Sequence, residues 1–137
     1  MVLIKIISYQ RHEVKKLSYF KNFTIIIMSI FYIQIGIKHF TNYEWFIKIM
    51  PPYLPYHKEL VFLSGFFEII LGLMILSNRL RYYASWGIIL LLIAVFPANI
   101  YLAQTNGAAL DTTPLIAWGR LPFQVVFIVI SYWHTKY

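Results

Sequence analysis

The chain predicts an all-α membrane protein, a bundle of four transmembrane helices with a short interfacial helix between the first and second. Three observations carry that expectation. The 137 residues are 60% hydrophobic and only 12% charged, more apolar surface than a soluble domain of this length can hide. Four apolar stretches, at about 22–40, 60–76, 84–103 and 115–133, each approach the roughly 20 residues needed to cross a bilayer core. Each stretch also carries polar side chains that hydrocarbon rejects: Gln34 and His39 in the first, Glu68 in the second, Asn99 beside Pro97 in the third, Arg120 and Gln124 in the fourth. An ionisable group at membrane depth costs roughly 2.5–3.5 kcal/mol on insertion scales and is usually kept where it faces a partner or a cavity. Those residues are therefore the candidate site.

Composition narrows the function classes. Aromatic residues make up 19% of the chain, as expected where rings sit at headgroup level. The net charge of +7 is not a nucleic-acid signal, because the basic residues lie mainly outside the apolar spans. The chain has no cysteine, which excludes disulfides, thiol catalysis, Cys-ligated zinc, iron–sulfur clusters and quinone reduction through a Cys-x-x-Cys pair. The four histidines, His12, His39, His57 and His134, have no partner at i+4, so no metal site is expected.

Residues 1–21 read as a cytoplasmic basic segment, a weak amphipathic helix with Arg11, Lys15, Lys16 and Lys21. Residues 22–137 read as the transmembrane domain. The first apolar span is too long for a signal-peptide core and no small-x-small cleavage site follows it, so it should remain as a helix. Between the first two spans, Thr41 and Glu44 have capping-box spacing. Tyr43, Phe46, Ile47 and Met50 repeat at i, i+3, i+4, i+7. Residues 42–50 are thus expected as a short helix on the outer surface, ended by Pro51-Pro52 and followed by a turn stiffened by Pro55. Ser77–Tyr83 is a short basic turn, and Gln104–Pro114, with Asn106-Gly107, is a loop.

Lysines and arginines orient the bundle. With the N-terminus inside, Lys5, Arg11, Lys15, Lys16, Lys21, Arg79, Arg81 and Lys136 fall on the cytoplasmic side. Only Lys38, Lys48 and Lys58 fall outside, so both termini are expected to be cytoplasmic. At 1.5 Å per residue, Glu68 lies about 12 Å, Asn99 about 6 Å, Arg120 about 8 Å and Gln124 about 14 Å from the outer ends of their helices. Gln34 and His39 lie near the outer end of the first helix. All fall in the outer half of the bilayer.

Angular position supports convergence. Ser64, Glu68 and Gly72 share one face with Gly65 beside them, and such small residues let a neighbouring helix approach closely. Arg120, Gln124, Phe127 and Ser131 form a stripe on the fourth span, and Ala84, Gly87, Ala94 and Ala98 one on the third. Pro97 should bend its helix and free a carbonyl one turn earlier. Each polar group has two readings. Glu68 with Arg120 is either a buried ion pair that only fixes helix pairing or part of a binding site. Arg120 could also snorkel to the headgroups. Asn99 and Gln124 are either interhelical hydrogen bonds or ligand contacts.

Several motifs resemble the DoxX-like membrane proteins: Gly36-Ile37-Lys38-His39-Phe40, Met50-Pro51-Pro52-Tyr53-Leu54-Pro55, Ser64-Gly65-Phe66-Phe67-Glu68 with Gly72, Val95-Phe96-Pro97-Ala98-Asn99, and Arg120-Leu121-Pro122-Phe123-Gln124. They run in order over roughly 25–135. The resemblance implies a compact four-helix bundle in a bacterial plasma membrane. Founding members of that family are subunits of a thiosulfate:quinone oxidoreductase, and other relatives serve as accessory or assembly proteins. A shared fold does not carry one reaction with it.

Three functions compete. The first is an accessory, redox-associated protein with a polar cavity for a quinone or lipid, where His39, Glu68, Asn99, Arg120 and Gln124 bind the head and Pro51, Pro52, Pro55, Ser64, Gly65, Gly72, Pro97 and Pro122 shape the walls. No motif encodes a cofactor of the chain's own, so redox power would come from a partner. The second is an assembly or chaperone subunit that docks to another membrane protein, or to a second copy, and whose polar cluster is purely structural. A monomeric pore is disfavoured, because four spans show no inverted repeat.

Overall fold

The computed structural model describes residues 1–136; Tyr137, the last residue of the expected transmembrane domain, lies outside the described residues. The described chain is all-helical. Helix α1 spans Val2–Thr41, α2 Tyr43–Ile47, α3 His57–Met74, α4 Arg81–Gln104 and α5 Pro114–His134, with one 3₁₀ turn at Ala108–Leu110. The last three expected apolar stretches are helical, their ends within a few residues of those of α3, α4 and α5. The first ends at Thr41, close to the expected end, but begins at Val2 rather than near residue 22. α1 is continuous over 40 residues, about 60 Å at the usual helical rise, because no proline or glycine interrupts residues 2–35. Its first half, residues 2–20, is exposed throughout. The basic segment expected at 1–21 is thus a helical extension of the first span, with no break between them.

From Lys21 onward α1 buries one face, with Ile25, Met28, Ser29, Tyr32, Gly36 and His39 three or four residues apart. That face lies antiparallel to α3 at a seam of glycines. A Cβ added to Gly36 would meet the Gly65 carbonyl at 2.7 Å, and one added to Gly65 would meet the His39 Cβ at 2.5 Å. Further along, Gly72 lies against the Ser29–Ile33 turn, and its carbonyl accepts the Ser29 hydroxyl at 2.6 Å. Backbone contact this close needs residues without side chains.

Helix α4 pairs chiefly with α5, again antiparallel. Asn99 meets Gln124 near one end and Trp86 meets Tyr132 near the other. The two pairs join around a core of Ile25, Met28, Tyr32, Leu71, Ile88 and Leu92, onto which Phe127, Ile128 and Ile130 of α5 pack. At the terminal end, the Thr24 hydroxyl contacts His134 Nε2 at 2.8 Å and Lys21 donates to the Lys136 carbonyl at 2.5 Å. The start of the bundle and the C-terminal segment therefore lie at the same end.

The connections follow local chemistry. Pro114 starts α5 at its first turn, behind a Thr113 cap that accepts the Ile116 N–H at 3.3 Å. Gly107 has φ +87°, and a Cβ there would lie 2.5 Å from the Thr112 carbonyl, so the loop expected around Asn106-Gly107 needs glycine. The capping box expected from Thr41 and Glu44 does not form. Thr41 is the last residue of α1, its hydroxyl turned back to the Ile37 carbonyl at 3.3 Å, and Asn42 precedes α2 with no side-chain cap. Two helices joined by one residue leave no room for a threonine cap. α2 is also shorter than the expected 42–50, and the residues after it turn inward: Ile49 and Pro51 are buried.

Three helices, α1, α4 and α5, are long and apolar enough to cross a membrane. α3 has 18 residues and carries Lys58, Glu59 and Glu68, which set it apart from those three. The outward faces present large apolar side chains, among them Ile26, Ile30, Leu63, Leu90, Ile93 and Val129. A helix that is apolar on its outward face has lipid as its solvent, and the protein is membrane-embedded.

Candidate functional site

At the end of the bundle away from the termini the two helix pairs separate. The space between them is a cavity of about 1100 Å³, lined by all four long helices, by α2 and by the chain up to Leu54. The five polar residues singled out from the sequence, His39, Glu68, Asn99, Arg120 and Gln124, all line it. Ser64, Pro51 and Pro97 line it too. Gly65 and Gly72 lie in the glycine seam instead, where they let α1 and α3 touch. Pro52, Pro55 and Pro122 are exposed, outside the lining. Gln34, on the same helix as His39, is exposed, since the two differ by five residues and so occupy different faces of α1.

The close neighbour of Glu68 in the cavity is His39, not the Arg120 considered from the sequence. Glu68 Oε2 sits 3.0 Å from His39 Nδ1. Depth counted along each helix put both residues in the outer half of the bundle; which neighbour Glu68 meets there follows from the packed faces of α1 and α3. His39 Nδ1 also lies 2.8 Å from the Ile35 carbonyl, one turn back. A carbonyl only accepts, so Nδ1 carries the proton. In the neutral ring Nε2 is then left as an acceptor. The imidazole stacks on Phe46 of α2, ring centres 3.8 Å apart, which holds it from the opposite side. Glu68 is 7% exposed, its Oε2 is buried with no hydrogen bond, and no described residue donates a hydrogen bond to its carboxylate.

Asn99 and Gln124 form a short amide chain. Gln124 Nε2 donates to the Leu92 carbonyl, and Asn99 Nδ2 donates to Gln124 Oε1 at 2.6 Å. Leu92 O is the carbonyl next to the one that Pro97 leaves without its helical N–H, so the amide lies where α4 is disturbed. The orientation of both amides follows from chemistry. Leu92 O can only accept, so the Gln124 atom facing it is nitrogen. Gln124 then presents oxygen to Asn99, and Asn99 must answer with nitrogen. Asn99 Oδ1 is the atom left over, buried without a partner.

Arg120 lies one turn before Gln124 on α5. Its guanidinium is 5.9 Å from the centre of the Trp45 ring, and it makes no hydrogen bond or ion pair with the described residues. α2 therefore places one aromatic ring on His39 and another on Arg120. The sequence marked α2 as an apolar face but gave no sign that Trp45 and Phe46 would meet the two basic groups. Tyr32 was missed altogether. It lines the cavity, and its hydroxyl is buried without a partner. A tyrosine within an apolar run reads as core, and only the placement of its hydroxyl marks it otherwise.

Together these groups form a mostly apolar, aromatic-walled space with a few convergent polar atoms, the usual constitution of a small-molecule site. No curated protein and no solved structure matches the chain. A family model described as a domain of unknown function, DUF8561, matches residues 28–135. The matched region begins at Met28, within the buried stretch of α1, and takes in every helix that lines the cavity. The chain thus belongs to the DUF8561 family, and the candidate site lies wholly inside the family's domain.

Proposed function

We propose that the protein binds a lipophilic small molecule, head inward, in the cavity beneath α2. The observation that carries this reading is the gathering of His39, Glu68, Asn99, Arg120 and Gln124, from four helices, around one space of about 1100 Å³. A volume of that size accommodates an amphiphile's head and the start of its tail. Buried acceptors without partners are costly in an apolar medium, and a bound head group offsets that cost. The protein acts as an accessory, redox-associated membrane protein, and the similarity to DoxX-like proteins makes a quinone or a lipid the first ligand to test. In this reading α3 crosses the bilayer with α1, α4 and α5, so that four helices span and α2 lies at the outer interface. Both termini face the cytoplasm of a plasma membrane, as the distribution of lysine and arginine supports.

The test is mass spectrometry of organic extracts from the purified wild type and the Glu68→Gln variant. A lipophilic molecule enriched in the wild type and reduced in the variant supports the reading. The same bulk phospholipid in both, with the fold intact, overturns it.

A second reading, an assembly subunit whose polar cluster only fixes helix pairing, is favoured by the internal pairs His39–Glu68 and Asn99–Gln124. It predicts a membrane-protein partner, or a second copy, that copurifies and is lost when the outward faces of α3 or α5 are altered.

A further inference from the structure

The buried cavity atoms without a hydrogen bond include two that only accept, beside the Tyr32 hydroxyl, which both donates and accepts. Glu68 Oε2 and Asn99 Oδ1 are buried with no hydrogen bond, and both are acceptors. The Asn99 oxygen is held in that role by the amide chain to the Leu92 carbonyl. His39, with its proton fixed on Nδ1 by the Ile35 carbonyl, adds Nε2 as a further acceptor in its neutral form. Groups that only accept are satisfied only by donors. The charge of the lining restricts which donor. Two fixed cations, Lys38 and Arg120, stand against the single carboxylate of Glu68, so an ammonium head meets net repulsion. A neutral hydroxyl does not. The walls define the rest of the head: Tyr32, Trp45, Phe46, Phe123 and Phe127 line the space, and aromatic walls suit a flat ring, by edge or by face.

We infer that the cavity selects amphiphiles whose head is a hydroxyl-bearing aromatic ring, a phenol, its one hydroxyl proton donated to Glu68 or to Asn99. This rests on the binding reading above and narrows its ligand class. Selectivity of this sort is strong where an apolar site holds buried acceptors, because an analogue without the donor leaves them unpaired.

The experiment compares 4-hexylphenol with its methyl ether, 4-hexylanisole, which has the same ring and tail and lacks only the O–H. Binding to the purified full-length protein in nonionic detergent is read by native mass spectrometry. The phenol is expected to bind at least about tenfold more tightly than the ether, a difference of about 1.4 kcal/mol. Glu68→Leu is expected to bring the ratio below about threefold, and Asn99→Leu to lower it partway. Equal binding of phenol and ether to the wild type overturns the inference while leaving the cavity as a binding site. A preference unchanged in both variants overturns it as well. If neither probe binds, the binding reading falls and this inference with it. The wild-type comparison decides even if Glu68→Leu does not fold.

Discussion

The α1–α3 seam allows a prediction in which two identical substitutions have opposite signs. Both Gly65, on α3, and Gly119, on α5, are helical. Replacing a mid-helix glycine with alanine stabilises a helix by about 0.8–1 kcal/mol when nothing else changes. At Gly119 a Cβ meets nothing within 4 Å, so Gly119→Ala should gain that amount. At Gly65 the same atom would lie 2.5 Å from the His39 Cβ and 2.9 Å from the Gly36 carbonyl. Neither obstacle is the end of a flexible side chain, so the helices must separate. Overpacking of this sort costs about 1–3 kcal/mol, which cancels or exceeds the propensity gain. Separation also draws His39 away from Glu68, a pair now 3.0 Å apart. Gly65→Ala should therefore be neutral to about 2 kcal/mol destabilising, and the two variants should differ by about 1–3 kcal/mol. Reversible unfolding in mixed micelles, followed by circular dichroism, measures both. If Gly65→Ala proves as stabilising as Gly119→Ala, the close approach of α1 and α3 is refuted, and with it the placement of His39 beside Glu68.

Other expectations follow from named contacts. A double-mutant cycle on His39→Ala and Glu68→Ala should show a coupling of about 0.5–3 kcal/mol, as for residues in contact. The corresponding cycle on Glu68 and Arg120 should be additive within about 0.5 kcal/mol; strong coupling there would restore the ion pair that the geometry replaces. Gln124→Leu removes both bonds of the amide chain and leaves Asn99 Nδ2 and the Leu92 carbonyl unpaired, at an expected cost of about 1–3 kcal/mol. The same variant in an Asn99→Leu background should cost less than in the wild type, read by the same unfolding assay. Gly107→Ala should destabilise the α4–α5 loop by about 1 kcal/mol or more, since φ is +87° and glycine alone tolerates that region freely. Faster cleavage between Thr105 and Thr113 by added protease would register it, and unchanged cleavage would count against the strained turn.

The amino-acid sequence by itself determined the class and the elements. Long apolar runs can only be satisfied by lipid or a large core, so composition alone required membrane helices, and the runs at 84–103 and 115–133 returned as α4 and α5 with nearly the expected ends. Polar residues inside such runs are expensive, which is why His39, Glu68, Asn99, Arg120 and Gln124 could be picked out before any contact was known. Residues 1–21 are expected as a separate amphipathic surface helix; the absence of proline and glycine there lets them run without a break into the first span. Pairing was another matter. Whether Glu68 meets Arg120 or His39 depends on the register of α1 against α3, which is set where Gly36 meets Gly65 and is invisible in either helix alone. The same holds for the amide chain from Asn99 to the Leu92 carbonyl, which crosses from α4 to α5 and back. The covering of His39 and Arg120 by Phe46 and Trp45 depends on where a five-residue helix docks. Periodicity within a helix tells which residues share a face; only the packed structure decides which faces meet, because that is settled by the summed fit of several helices at once.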